Sequence, residues 1–274
     1  MLTPNIRLER AVGRGGMGVV YSARKSDGER VAVKVLRRDV VHGACAERFE
    51  REARVLSALE HPSIVRYHGH GVTDDGAAYL IMEWLEGEDL GMRLARGAIG
   101  LAQTVDCVTA VCGALSVAHD KGLVHRDIKP ENLYFARTDD GSEMVKVLDF
   151  GVDQVPDALT HTGMDPTRTG VLLGTPSYMS PEQAHGRKDL DCRSDLWALG
   201  VVAFECLTGQ LLFEATVLGP LIAKIMMAPI PRLSDCGAFS PKLDAWFGRA
   251  VARDRDARFA SARELAEALA DATN

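Results

Sequence analysis

Eight consecutive residues, His125-Arg126-Asp127-Ile128-Lys129-Pro130-Glu131-Asn132, bring together groups that could move a phosphate. The Asp127 carboxylate can accept a proton, the Lys129 ammonium can neutralise a phosphate, and the Asn132 amide oxygen can hold a divalent cation. Pro130 denies the stretch a regular helix or a central strand, so these groups sit on a rigid loop. A second acidic site, Asp149-Phe150-Gly151, follows the short apolar run Val145–Leu148. A carboxylate delivered by a buried strand beside a glycine suits a hard cation such as Mg²⁺, which prefers oxygen ligands.

A third group lies near the start of the chain, Gly13-Arg14-Gly15-Gly16-Met17-Gly18-Val19-Val20. Glycine spacing of this kind lets backbone N–H groups approach phosphate oxygens, but dinucleotide-binding folds use it too, with the last glycine opening a helix. Here Gly18 opens a β-branched run, and the spacing predicts a hairpin between strands 6–12 and 19–23. A third strand, Val31-Ala32-Val33-Lys34-Val35, carries Lys34 among apolar residues, where a buried ammonium needs a partner.

The elements that must position these groups can be read in order. A helix is expected over 47–59, with Phe49, Ala53 and Leu56 on one face and Glu52 beside that stripe. Strands are expected over 64–71 and 77–82, joined by the turn Thr73-Asp74-Asp75-Gly76. At Glu83-Trp84-Leu85-Glu86-Gly87 composition shifts from strand-like to helical, which marks a division between residues 84 and 85. Leu101–Asp120 has apolar residues at helical spacing and a Lys121-Gly122 ending that fits a C-cap. Residues 152–180 are long and aperiodic, rich in Thr, Gly and Asp. Ser194–Thr208 reads as a strongly apolar helix, and the last helix, Ser261–Ala270, begins with the capping-box spacing Ser261 to Glu264.

Bulk properties narrow the class. The 274 residues carry 32 basic and 38 acidic side chains, a formal net charge of −6, which disfavours a phosphate-backbone binder; no nucleic-acid partner is expected. Hydrophobic residues make up 46% of the chain, as in an ordinary globular protein. The six cysteines, at 45, 107, 112, 192, 206 and 236, include no C-x-x-C pair and read as reduced structural thiols. The first residues show no signal peptide, and runs such as Leu196–Phe204 fall short of a bilayer span of about twenty residues, so a cytoplasmic chain with no membrane segment is expected.

Taken together, Gly13-x-Gly15-x-x-Gly18, Val31-Ala32-Val33-Lys34, Glu52, His125 to Asn132, Asp149-Phe150-Gly151 and Ser180-Pro181-Glu182 stand in the order and spacing of one family. The chain resembles a eukaryotic-like serine/threonine protein kinase catalytic domain of the bacterial type, along essentially its whole length. That resemblance implies an α+β, two-lobed fold: a small antiparallel sheet with one main helix in residues 1–84 and a larger, mainly helical lobe in 85–274. It implies ATP with Mg²⁺, or Mn²⁺ in its place, and protein substrates offering Ser or Thr hydroxyls.

The resemblance also assigns residues. Asp127, Lys129, Lys34 and Glu52 would be catalytic, with Lys34 paired to Glu52 and set against the α/β-phosphates. Gly13, Gly15, Gly16, Gly18, Val20, Ala32, Lys34, Met82, Glu83, Leu85, Asp89 and Tyr134 would line the ATP site, Met82 as gatekeeper, Glu83 and Leu85 through backbone groups at the adenine edge, and Asp89 at the ribose. Asn132 and Asp149 would hold the metal. Arg126 would pair with a phosphothreonine, with Thr167, Thr169 and Thr175 as regulatory positions and a transient homodimer for autophosphorylation. His125, Phe150, Glu182, Asp195 and Arg258 would be structural, Asp195 bonding the backbone of the catalytic loop and Arg258 pairing with Glu182.

Three positions depart from the family pattern: Ser180 stands for the Ala of A-P-E, Asp153 follows Gly151 closely, and Tyr134 replaces an aliphatic residue under the adenine. None removes a catalytic group. Two other readings stay open on sequence alone. A pseudokinase scaffold would rest on Asp153 and Tyr134, and a small-molecule kinase of the same fold would lack Ser180-Pro181-Glu182 and the threonine-rich stretch.

Overall fold

The computed structural model describes residues 6–15, 18–37, 44–73, 76–150 and 176–274, with the side chains of 44–48, 51 and 52 also outside it. Five antiparallel strands form the first sheet: β1 (Ile6–Gly15), β2 (Gly18–Lys25), β3 (Arg30–Leu36), β4 (Tyr67–Val72) and β5 (Ala78–Glu83), in the order β1-β2-β3-β5-β4. Helix α1 (Ala44–Ser57) turns Phe49, Ala53 and Leu56 inward at helical spacing, and the ring of Phe49 meets His70 of β4 edge-on at 6.0 Å.

Two expected strand bounds move. β1 runs on to Gly15, because the glycines themselves pair across the hairpin, Gly13 with Val20 and Gly15 with Gly18. β4 begins at Tyr67 rather than Ile64, because residues 63–65 bond elsewhere. Val147 N–H donates to the Ser63 carbonyl at 2.8 Å and Val65 N–H to the Val147 carbonyl at 3.1 Å.

A second, three-stranded antiparallel sheet comprises β6 (Gly87–Asp89), β7 (Leu133–Arg137) and β8 (Glu143–Val147). Helices follow: α2 (Leu90–Leu94), α3 (Leu101–Asp120), α4 (Pro181–Ala184), α5 (Arg193–Thr208), α6 (Leu218–Met227), α7 (Pro241–Ala250) and α8 (Ala262–Thr273). α3 has the bounds its periodicity predicts and stops at Lys121, with Gly122 at φ 74°. Among the described residues, it is the one helix long and apolar enough to cross a bilayer by length and composition. It is instead the core helix, with Cys107, Val108, Val111, Cys112, Leu115 and Ala118 buried.

α5 is buried almost all round, which explains its apolar character on every face, and ends at Gly209 in the left-handed conformation. One continuous apolar core runs from Leu36, Leu80 and Met82 of the first sheet through α3 and α5 to Leu265 and Leu269 of α8. A smaller cluster of Ile6, Ala23, Val31, Val33 and Tyr79 covers the opposite sheet face. The start of α8 differs in one detail from a reciprocal capping box. Ser261 Oγ accepts from Glu264 N–H at 3.1 Å, but Glu264 reaches back one residue further, to Ala260 N–H at 2.7 Å.

Cys107, Cys112 and Cys206 are buried free thiols, Cys192 is half-buried and Cys236 exposed. Burial pushes the Cys107 thiol up to about 12 and raises Cys112 and Cys206 as well, so these thiols stay protonated and unreactive.

Candidate active site

The loop 125–132 is built on a buried carboxylate. Asp195, on the first turn of α5 and 1% exposed, accepts the N–H of His125 at Oδ2 (2.8 Å) and that of Arg126 at Oδ1 (2.7 Å). His119, at the end of α3, meets the same Oδ2 through Nε2 at 2.8 Å. His125 is wholly buried: its Nδ1 accepts Asp127 N–H at 3.2 Å, so its proton sits on Nε2 and goes to the Leu148 carbonyl at 2.7 Å. Its ring lies 4.7 Å from that of Phe150, which is also buried. These bonds tie the loop to the backbone that delivers Asp149. Arg126 (φ 67°) and Asp149 (φ 53°) are non-glycine residues held in the left-handed region, a strain that persists where neighbours over-determine the backbone.

Asp127, Lys129 and Asn132 converge. Lys129 Nζ donates to Asp127 Oδ2 at 2.7 Å, and Asn132 Nδ2 donates both to Asp127 Oδ2 at 3.0 Å and to the Asp127 carbonyl at 2.7 Å. Among the described residues, Asp127 Oδ1 accepts no hydrogen bond and is the oxygen left for a substrate proton. Because Asn132 spends its NH₂ end on Asp127, its carbonyl oxygen is the end left for a cation. This oxygen and the carboxylate of Asp149 are both hard donors, the type that fits Mg²⁺.

Register places the opposing groups on the first sheet. Val20 lies across from Lys34, and Ala32 across from Met82. With the two-residue period of a strand, Val20, Lys34, Ala32 and Met82 share one face. Lys34 is 7% exposed and its Nζ is ion-paired with Asp149 Oδ1 at 3.1 Å, joining β3 to the segment that follows β8. The side chain of Glu52, expected to pair with Lys34, lies outside the described residues, as do Gly16, Asp153, Thr167, Thr169 and Thr175.

Gly18 has a reason of its own to be glycine. A Cβ there would sit 2.2 Å from the Val35 carbonyl oxygen, whereas a Cβ at Gly15 would meet nothing within 4 Å. One glycine serves strand packing and the other leaves open space over the hairpin.

At the end of β5, Glu83 accepts Lys146 Nζ at 2.6 Å and Arg66 N–H at 2.8 Å, while its own N–H donates to the Arg66 carbonyl at 2.9 Å. Its N–H is therefore committed inside the protein. Leu85 is half-buried against the main core. Asp89 and Tyr134 are cross-strand partners, Asp89 N-capping α2 by accepting Met92 N–H at 2.8 Å, and burial raises the Tyr134 hydroxyl above its ordinary range.

Behind the loop, Arg258 and Glu182 meet as a two-bond pair, Nη1 to Oε1 and Nη2 to Oε2, each 2.8 Å, with Ser194 Oγ donating to Oε1 at 2.7 Å. Burial alone would push the Glu182 carboxyl up. The Arg258 bonds and charge, with the Ser194 hydroxyl, overcome it and hold the carboxyl at about 2.

Sequence reasoning misses His119 and Gln183. His119 offers no signal beyond its place in the last turn of α3. Gln183 does offer one, the capping-box spacing Ser180-x-x-Gln183, which the structure forms.

A family profile described as protein kinase domain matches residues 6–246. The chain is similar to serine/threonine-protein kinase Pkn1 of Myxococcus xanthus, 41% identical over 97% of this chain and 38% of that protein. It is similar to pkn2 of the same organism, 39% identical over 99% of this chain and 33% of that protein. Among solved structures, Rad53 1-466 in complex with AMP-PNP superposes with a TM-score of 0.77 at 25% identity, covering 96% of this chain and 64% of that one. The chain thus spans between 33% and 38% of the length of these two curated relatives.

Proposed function

The chain belongs to the protein kinase domain family, its match running through residues 6–246, and on that premise we propose that it transfers the γ-phosphoryl group of ATP to serine or threonine hydroxyls of proteins. The observation that carries this reading is the single carboxylate of Asp127, one oxygen fixed by Lys129 and Asn132 and the other left to receive a proton. Asp127 orients the acceptor hydroxyl and takes its proton, and Lys129 neutralises the phosphate in transfer. Lys34, with Glu52, positions the ATP phosphates under Gly13, Gly15, Gly16 and Gly18. Val20, Ala32, Met82 and Tyr134 enclose the adenine, the Glu83 carbonyl and Leu85 N–H bond its edge, and Asp89 reaches the ribose. Mg²⁺, held by Asn132 and Asp149, would supply charge neutralisation for the phosphates.

The remaining parts of the reading follow the family. The chain divides into a small unit to residue 84 and a larger one from 85. Arg126 receives a phosphate from Thr167, Thr169 or Thr175, transferred between two copies of the chain, in the cytoplasm. The serine/threonine-protein kinase names of the relatives support a protein acceptor over a small-molecule one.

The test is incubation of the purified chain with ATP and Mg²⁺, followed by intact mass and peptide mapping. Phosphate-sized mass additions at Thr167 or Thr169, absent in Lys34→Met and in Asp127→Asn, are expected. Asp127→Asn should keep its affinity for ATP; wild-type turnover by that variant would remove Asp127 as the base.

A further inference from the structure

The peptide unit between Arg126 and Asp127 carries one carbonyl and one N–H in a single rigid plane. That plane sets the direction in which the Asp127 side chain leaves the backbone. Its N–H donates to His125 Nδ1 at 3.2 Å, a long bond. Its carbonyl, the Arg126 oxygen, accepts Gln183 Nε2 at 2.8 Å. Gln183 belongs to α4, 57 residues further along the chain.

The orientation of the Gln183 amide is not arbitrary. Its Oε1 accepts Ser180 N–H at 3.1 Å and Ser180 Oγ–H at 3.0 Å, so its NH₂ end must be the one that faces Arg126. Ser180 is fully buried, and its Oγ also accepts Gln183 N–H at 3.3 Å. Here lies a use for the serine that stands where the family pattern has alanine: it supplies the hydroxyl that aims Gln183. An alanine would leave Oε1 with the backbone donor alone.

We propose that Gln183, aimed by Ser180, is a positioning residue for phosphoryl transfer. It fixes the Arg126–Asp127 peptide plane and through it the Asp127 carboxylate. Arg126 sits at φ 67°, a strained left-handed conformation, and the backbone can relax once its carbonyl loses its partner. The inference rests on the reading of Asp127 as the proton acceptor.

The experiment compares wild type with Gln183→Leu, Gln183→Glu, Ser180→Ala and Asp127→Asn, in steady-state transfer to casein with ATP and Mg²⁺, with Tm measured on each. Gln183→Leu is expected to lower kcat by about tenfold to a hundredfold, with both KM values within about twofold of wild type. Ser180→Ala should show the same split with a smaller drop. In Gln183→Glu the carboxylate is ionised at neutral pH and repels the Arg126 carbonyl. Its kcat should therefore fall at least as far as that of Gln183→Leu.

A Gln183→Leu kcat within about twofold of wild type, or a fall in kcat that only follows Tm and both KM values, overturns the proposal. So does a Gln183→Glu variant that keeps kcat within about twofold of wild type. Full turnover by Asp127→Asn would instead overturn the reading beneath it, whatever Gln183 does.

Discussion

The two sides of the site are built on opposite plans. The loop carrying Asp127 rests on groups that are almost wholly buried: Asp195, His125 and Phe150 directly, and the Glu182–Arg258 pair behind them. The first residues of that loop are held by the Asp195 carboxylate and the His125 ring, and a left-handed non-glycine residue is tolerated within it at Arg126 and beside it at Asp149. In the β1–β2 hairpin, by contrast, β1 is largely exposed, Val12 at 43%, with open space around Gly15. A base must be placed to a fraction of an ångström before reaction. A cover over phosphates needs only free backbone N–H groups and room to admit the nucleotide. Changes beneath the loop should therefore act on kcat, and changes in the hairpin on KM for ATP.

The sharpest test of that division is Asp195→Ala. It removes the acceptor of two loop N–H groups and of His119 together, from a site almost closed to solvent. Turnover should fall by at least about a hundredfold, and stability by about 3 kcal/mol, with calorimetric ATP affinity close to wild type. A variant that loses ATP binding in proportion to turnover would break the contrast, because the loop would then be shaping the nucleotide site as well.

Next in size is the ion pair behind the loop. Glu182→Gln leaves the Arg258 guanidinium, whose side chain is fully enclosed, without its counter-charge and should cost about 3 kcal/mol in denaturant unfolding. The sign of its pH dependence follows from the depressed carboxyl. A folded-state value of about 2 against an ordinary 4.5 gives stability that is complete above 4.5 and is lost as pH falls toward 2. The gap between wild type and Glu182→Gln should accordingly close across that interval. A gap of constant size from pH 6 to pH 3 would mean that the charge contributes nothing.

How much of this was legible depends on distance along the chain. The hairpin, the Lys34 strand, α3 and the catalytic loop are local patterns of glycine, β-branched and 3.6-periodic residues, and they stand where those patterns place them. α7 is equally local, with Ser240 as N-cap, Pro241 in the first turn and Leu243, Trp246, Phe247 and Ala250 buried along one side, a signal the expectations omit. β6, β7 and α2 escape because they are five residues or shorter and take their form from one another, Glu88 pairing with Phe135 and Asp89 with Tyr134. The Lys34–Asp149 pair and the Gln183–Arg126 bond join residues far apart in sequence. Resemblance can suggest Glu52 for Lys34; no spacing pairs Lys34 with Asp149 or Arg126 with Gln183.

The smallest expected effects lie in the hairpin, where two glycines of one motif should part company. Gly18→Ala forces a methyl against the Val35 carbonyl at 2.2 Å and the Leu36 Cα at 3.1 Å, both backbone, so β2 and β3 must separate. That overpacking should cost about 1–3 kcal/mol and lower Tm. Gly15→Ala adds a methyl to open space and should change stability by less than about 0.5 kcal/mol. Its effect belongs to the nucleotide: a methyl beside the phosphate path raises KM for ATP while kcat at saturating ATP holds. If Gly15→Ala instead lowers kcat with KM unchanged, the hairpin takes part in the transition state, and the contrast between a fixed base and a permissive cover fails at that residue.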